Sequence, residues 1–499
     1  MKRTLFAAFF ALTFVAGGLQ PAAQNALHSE LDAIFNNPVL ARGLIGVRID
    51  SLTTGENIYR LNDDKLVMPA SNMKILTMTT AAEKLGWDFT YKTTLDAAGT
   101  ITDGILTGDL IVVGGGDPTI VSNDGGPAPL FAEWAAALRQ AGIKRVNGRI
   151  LGDDWFFADP IGMGWSWDDF VFGYSATVTG LSYNENQVRL RVTPAAAPNS
   201  LASLTLSPAG GHGLHLTNRV ATVPRPPDAP AGDSRLRASI NYDRKPGSDE
   251  LVVTGRIAVG ADAISQDVSV DNPTRFFVNA LRDALLVEGI VVTGPATEWN
   301  DTEKPGRMHG ALPGPRMTVA TRRSPPLSVI GPYFMKASQN FVAETLLRTL
   351  GAVATGAGTA DAGMSVVRET MQSWGVPSDA IVMRDGSGLS RYNYVTTGAI
   401  VTMLTRMWKN DALRGPFAAA LPVAAHDGTL SGRMKNTWLD AHVQAKTGTI
   451  SNVRSLSGYL ETRSGERVVF SIIGNHFTVP SARIDAIAET ALALVAERR

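Results

Sequence analysis

The stretch "PASNMKILTMTTAAEKLG" (residues 69–86) holds a serine and a lysine three residues apart, Ser71 and Lys74, at what reads as the start of a helix. A serine hydroxyl is a poor nucleophile until a neighbour removes its proton. A lysine can do so only when neutral, and burial disfavours its charged form. Counting in threes and fours from Lys74 reaches Met78, Ala81, Ala82 and Leu85, so the lysine shares the apolar stripe that should turn inward. Each unit by which its pKa falls costs about 1.4 kcal/mol of charged-state stability, and a low-dielectric helix face supplies that cost. Ser71 at the helix tip also has backbone N–H groups aimed at any developing oxyanion. The two residues read as a nucleophile and its base. The plainer reading makes Ser71 an N-cap and lets Lys74 reach back to water. Ser-x-x-Lys arises about twice by chance in a chain of this length, so the pair needs support from elsewhere.

Two further stretches supply it. "KASQNFVAETLL" puts Ser338, Gln339 and Asn340 directly before a helix-periodic run with Val342, Leu346 and Leu350. Ser338 can relay a proton between nucleophile and leaving group, and the Asn340 amide can hold a substrate carbonyl or Lys74. Asn340 could equally be a simple N-cap. "QAKTGTISNVRSLSGYL" carries Lys446, Thr447, Gly448 and Thr449 on a strand. A glycine there lets a substrate backbone approach closely. Hydroxyls and an ammonium beside it suit a carboxylate-ended peptide lying alongside as an added strand. The bland alternative is an exposed polar edge strand, with Lys446 guarding it against aggregation.

The elements around these stretches suggest how they meet. "GLIGVRIDSLTTGENIYRLNDD" (43–64) reads as a hairpin, and the helix of Ser71 follows it. At the far end, "HVQAKTGTI", "RSLSGYLETRSGERVVFSIIGNHF" and "SARIDAIAETALALVAERR" read as strand, hairpin and helix. Both ends of the chain can therefore share one antiparallel sheet covered by terminal helices. The middle differs. From about 98 to 190, strand-like runs mix with a helix near "LFAEWAAALRQAGI". From about 188 to 267, alternation such as Val188, Leu190 and Val192 against Arg189 and Arg191 suggests a small all-β module with Pro-rich connections. Helices resume at "NPTRFFVNALRDALLVEGI" and continue through "SPPLSVIGPYFMKASQNFVAETLLRTLG".

At 499 residues two or three domains are expected. An apolar fraction of 44% and a charged fraction of 18% describe a folded globular chain. Formal net charge is zero, which sets nucleic-acid binding aside. The basic tip Lys2-Arg3, the apolar run from Leu5 to Val15 and the small residues after it have the layout of a secretory signal, too short to span a bilayer. No later stretch is long and apolar enough to span one. Without cysteine there is no disulfide, lipidated cysteine or thiol catalysis. "VVGGGDP" lacks the Lys-Ser/Thr continuation of a phosphate loop. The seven histidines are scattered, with His212 and His215 the closest pair, and His426 reads as structural. Asp385 and Arg391 in "RDGSGLSR" read as fixing a loop beside the cleft.

Taken in order, the three segments match the set Ser-x-x-Lys, Ser-x-Asn and Lys-Thr-Gly that marks penicillin-binding proteins and serine β-lactamases. The stretch between Ser71 and Ser338 exceeds half the chain, far more than compact β-lactamases use. With "VGGGDPTI", "GWSWDDF", "RDGSGLSRYNYV" and "LPVAAHDGTLSGRM", the sequence closely resembles the D-alanyl-D-alanine carboxypeptidase/endopeptidase family of class C penicillin-binding proteins, peptidase family S13. The resemblance implies an α+β multidomain fold. A β-lactamase-like transpeptidase domain with a five-stranded antiparallel sheet flanked by helices would occupy 24–97 and 268–499. Two nested β-rich insertions would occupy 98–187 and 188–267, behind a signal at 1–23. It further implies that Ser71 is acylated, with Lys74 as general base, and that Ser338 and Lys446 complete the proton network. Asn340 would position substrate, and the N–H groups of Ser71 and Thr449 would form the oxyanion hole. Thr447 and Thr449, beside Gly448, would hold the terminal carboxylate. The middle residue of the second motif is often Asp in the family and is Gln339 here, a difference of tuning. The expected partners are peptidoglycan stem peptides and β-lactams, in the periplasm, with no metal or organic cofactor and oligomeric state left open. The alternatives are a β-lactamase, for which Glu185 or Glu344 would have to deacylate, and a catalytically idle peptidoglycan-binding protein.

Overall fold

The computed structural model describes residues 19–123, 125–159, 161–230, 233, 236–299 and 315–499. The apolar run expected to be a secretory signal lies outside the described residues. Both chain ends build one sheet. The hairpin Leu44–Ser51 and Asn57–Leu61 joins Val443–Ile450, Val453–Glu461 and Arg467–Asn475 in the order 443–450, 453–461, 467–475, 44–51, 57–61, every pairing antiparallel. Val443–Ile450 is therefore an edge strand. One face of the sheet is covered by the terminal helices Leu19–Phe35 and Ser481–Arg498, whose Leu27, Leu31, Leu492 and Val495 pack on Val47, Ile49 and Val468. The other face meets a helical layer through Tyr459, Val469 and Ile473.

The helix of Ser71 and Lys74 lies at the centre of that layer. It runs Met73–Lys84, behind a short 3-10 turn over Ala70–Asn72. Its environment exceeds the one inward stripe that its periodicity predicts, because every residue from Met73 to Ala82 is buried. Helices Asn340–Thr355, Ala360–Ser373, Thr397–Lys409 and Asp411–Ala420 surround it. Backbone carbonyls take the hydroxyls of two of its buried threonines. Thr77 Oγ1 donates to Gly386 O at 2.8 Å, and Thr79 Oγ1 to Leu76 O at 3.2 Å. Three surrounding helices start on side-chain caps, Thr359 accepting from Ala362 N, Thr396 from Ala399 N and Asn410 from Ala412 N.

The middle of the chain forms a second body with its own core. A seven-stranded mixed sheet includes Lys92–Thr102 and Ile105–Val113, with helices Pro129–Gln140 and Pro273–Val287 sharing its core. Two three-stranded sheets follow, one centred on Gln187–Thr193 and one on Glu250–Ala258. The expected return to the transpeptidase part at 268 differs from this pairing. Helix Pro273–Val287 belongs to the inserted core, and Val291–Val292, Ala296–Glu298 and Met317–Arg323 complete the seven-stranded sheet. After this sheet the next described element of the helical layer is Leu327–Lys336. Helix periodicity marks that an element exists. It does not say which core its apolar face enters.

Candidate active site

Ser71 sits in a turn that three other segments clamp. Ser455 Oγ donates to Pro69 O at 2.7 Å, and Asn72 Nδ2 donates to Ser457 Oγ at 2.6 Å, tying the turn to the sheet. Ala70 has a left-handed φ of 48°, and its carbonyl faces Gly388, where an added Cβ would stand 1.8 Å away. Gly448 abuts the turn from the edge strand. A Cβ there would lie 2.9 Å from Ser71 N and 2.7 Å from Pro69 O. Glycine lets the strand pass against the nucleophile's own amide. Gly448→Ala is expected to push the strand and the Ser71 amide apart and cut the rate of acylation by benzylpenicillin about a hundredfold or more, the usual loss for one misplaced oxyanion donor. Stopped-flow or quench-mass kinetics measure it, and a rate within threefold of wild type contradicts the packing argument.

Lys74 is fully buried, so it does not reach back to water, and Ser71 is not the helix cap, a position held by Asn72. Its Nζ has three neighbours: Asn340 Oδ1 at 2.6 Å, the Ser387 carbonyl oxygen at 2.7 Å and Ser71 Oγ at 3.0 Å. A neutral amine has two N–H groups and one lone pair. The amide oxygen and the carbonyl can only accept, so they take both N–H groups. The Ser71 hydroxyl is the one neighbour able to donate to the remaining lone pair. Burial brings the Lys74 pKa down to about 7, with Asp385 and Glu344 pulling the other way. Lys446, also fully buried, is held well below the usual range by burial and by Lys74. Its Nζ lies 2.9 Å from Ser338 Oγ and 2.9 Å from Thr447 O, so it is no surface guard.

Ser338 has a left-handed φ of 59° in the link between Leu327–Lys336 and Asn340–Thr355. Asn340 is not an N-cap. Gln339 occupies that position and makes no capping bond, while Asn340 spends its oxygen on Lys74 and its Nδ2 on Tyr174 O at 2.8 Å. Ser71, Ser338, Asn340 and Thr449 line one cleft of about 450 Å3 with Tyr174 and Arg391. Thr449 Oγ1 accepts from Arg454. The Thr447 hydroxyl, next along the strand, donates to Thr429 Oγ1 at 2.6 Å.

The loop opposite is built on two buried carboxylates. Asp385 accepts from Trp165 Nε1 at 2.9 Å, Gly388 N at 2.7 Å, Ser390 N at 2.6 Å and Asn393 Nδ2 at 2.7 Å. Glu344 accepts from the amides of Gly386 and Ser387 at 2.9 and 2.8 Å. Together they aim the Ser387 carbonyl at Lys74. Asp385→Ala leaves these donors unpaired at about 1–3 kcal/mol each. It is expected to lower the melting temperature by several degrees and to slow acylation. An unchanged melting curve by calorimetry contradicts this role. Sequence reasoning missed Ser387, Tyr174, Trp165 and Asp169, although "GWSWDDF" and "RDGSGLSRYNYV" held most of them. Glu185 and Glu344 line no part of the cleft, and His426 pairs with Asp440 at 2.9 Å instead. Among the described residues no group of three His, Cys, Asp or Glu is poised to hold a metal, and no helix is long and apolar enough to cross a membrane.

Residues 27–494 match the D-Ala-D-Ala carboxypeptidase 3 (S13) family. The chain is 33% identical to a D-alanyl-D-alanine carboxypeptidase of Actinomadura sp., over 98% of this chain and 88% of that protein. It is 26% identical to the D-alanyl-D-alanine carboxypeptidase DacB of Haemophilus influenzae, over 85% and 84%. The crystal structure of penicillin binding protein 4 from Haemophilus influenzae superposes with a TM-score of 0.76 at 23% identity, covering 91% of this chain and 94% of that one. The same protein complexed with a β-lactam superposes with a TM-score of 0.71. The likeness thus runs through the sheet, the helical layer and the inserted body alike, and the chain belongs to the D-Ala-D-Ala carboxypeptidase 3 (S13) family, a hydrolase of the penicillin-binding type.

Proposed function

We propose that the protein hydrolyses the terminal D-Ala-D-Ala bond of peptidoglycan stem peptides, and D-alanyl cross-links between them, through an acyl-enzyme on Ser71. Neutral Lys74 takes the hydroxyl proton as Ser71 Oγ bonds the penultimate carbonyl carbon. The N–H groups of Ser71 and Thr449 hold the oxyanion. The C–N bond then breaks, and Ser338 hands the departing amine its proton and takes back the one Lys74 received, so that Lys74 is neutral again, with Lys446 bonded to the Ser338 hydroxyl. Water releases the acyl group and restores the hydroxyl. Asn340 fixes Lys74 and the substrate amide, and Thr449, beside Gly448 on the free edge of the sheet, meets the terminal carboxylate, with Thr447 behind it. β-Lactams acylate Ser71 as mimics of that peptide. The compartment proposed is the periplasm, where this substrate lies.

The observation that carries this reading is the saturation of Lys74: two acceptors occupy its N–H groups and leave its lone pair to Ser71. The test is intact mass after incubation with benzylpenicillin, together with D-alanine release from a D-Ala-D-Ala-terminated stem peptide and cleavage of a cross-linked muropeptide dimer. A lasting one-drug adduct with D-alanine release supports the proposal. An adduct gone within seconds makes the protein a β-lactamase, and no adduct overturns the mechanism.

A further inference from the structure

The second motif is held from outside the catalytic part by Glu185. Gln339 spends its amide on that carboxylate, its Nε2 donating to Glu185 Oε2 at 2.5 Å. Tyr333, on the helix leading into the motif, donates its hydroxyl to Glu185 Oε1, and Gln187 Nε2 donates to Oε2 at 3.0 Å. The carboxylate thus grips the motif loop from both sides. It belongs to the inserted body, directly before strand Gln187–Thr193.

The inserted body accepts backbone strain to present it. Asn184, Glu185 and Asn186 all have left-handed φ, at 52°, 54° and 56°. Non-glycine residues in that region cost free energy, and three in succession persist only where surrounding bonds over-determine them. Those bonds are present. Asn184 Oδ1 accepts from Ser122 Oγ at 2.8 Å and its Nδ2 donates to Gln187 O at 2.7 Å, while Asn186 Nδ2 donates to Thr177 O at 2.8 Å. Behind Gln339 lies a cavity of about 490 Å3 lined by Asn184, Arg189, Asp267 and Tyr333, and Gln339 also lines the catalytic cleft. The side chain is a partition between two open spaces. Without an anchor it has room to swing, and Ser338 and Asn340 on either side would swing with it.

We propose that Glu185 is a positioning residue for acyl transfer: by clamping Gln339 and Tyr333 it sets Ser338 against Lys446 and Asn340 against Lys74. This rests on the acylation chemistry proposed above. The clamp also assigns a job to the glutamine at the variable motif position, since an aspartate there would face a carboxylate. Burial and nearby Asp267 raise the pKa of Glu185, and the Tyr333 bond opposes this.

The test is the rate of acylation by benzylpenicillin, read by intact mass, for wild type, Glu185→Ala, Gln339→Glu and the double variant E185Q/Q339E. All are assayed at a temperature where near-ultraviolet circular dichroism shows them folded. Glu185→Ala and Gln339→Glu are each expected to slow acylation about 10- to 100-fold. The double variant, which restores the pair with donor and acceptor exchanged, is expected to return to within about threefold of wild type. A merely structural role would not give that rescue. Glu185→Ala reacting within twofold of wild type, or a double variant as slow as Gln339→Glu, overturns the proposal. If Glu185→Ala does not fold, the Gln339→Glu and double-variant pair decides. An unreactive wild type would overturn the acyl-transfer chemistry itself, and the clamp's role with it.

Discussion

Ser71→Ala is expected to leave no covalent adduct with benzylpenicillin and to release D-alanine about a millionfold more slowly than wild type. Removal of the nucleophile from a site whose members act as a unit costs on that order in kcat. The fold should be unaffected. Ser71 makes one side-chain contact of consequence, to Lys74, and its turn is held by Pro69, Asn72 and Gly388 through other atoms. Near-wild-type melting with binding of the stem peptide retained, read by calorimetry, separates a lost reaction from a lost fold. Residual acylation in this variant would move the nucleophile elsewhere, and Ser338 would be the next hydroxyl to test. Binding that survives without wild-type turnover would instead mark an idle peptidoglycan-binding protein.

Lys74→Arg should be nearly as damaging, for a different reason. Arginine keeps a positive charge at every accessible pH, so it has no lone pair to offer Ser71. General-base catalysis contributes about 100- to 10,000-fold, and at least that much should vanish. The wild-type pH profile carries the same information. Lys74 works as a base only when deprotonated, and burial brings its pKa down to about 7. The second-order acylation rate should therefore fall as pH drops through about 7 and level off above it. An ordinary exposed lysine would place that limb several units higher. A flat profile between about pH 5 and 9 would remove Lys74 from the role. In Lys74→Arg the limb should be absent along with most of the rate.

Much of this was legible beforehand, and the sites where local rules fail are informative. The terminal hairpin, the edge strand with Lys446 and Gly448, and the helices after Met73 and Asn340 follow from periodicity and turn residues. Asn340 and Gln339 break the rule for helix starts, where a short polar side chain normally bonds back to the first turn. Both amides are spent instead on groups from elsewhere, Lys74 and Glu185. Such departures cluster at functional sites. The Thr447 hydroxyl meets Thr429, a residue no spacing would have nominated.

The sequence alone determined which groups are available: three motifs in a fixed order, each on an element of the right type, and no thiol. It also determined the hairpins at both chain ends, because alternation and turns are local properties, while their union in one sheet is a pairing of distant strands. Tertiary structure decided what those groups can do. Whether Lys74 is a base depends on its desolvation and on which acceptors use up its N–H groups, and these arrive from 266 and 313 residues away in the chain. The inward stripe became a helix buried along ten successive residues for the same reason, since its neighbours are all distant in sequence. The ownership of 273–298 and 317–323 and the reach of Glu185 into the second motif were likewise settled by packing. Desolvation and hydrogen-bond saturation belong to an assembled environment, and no single segment carries them.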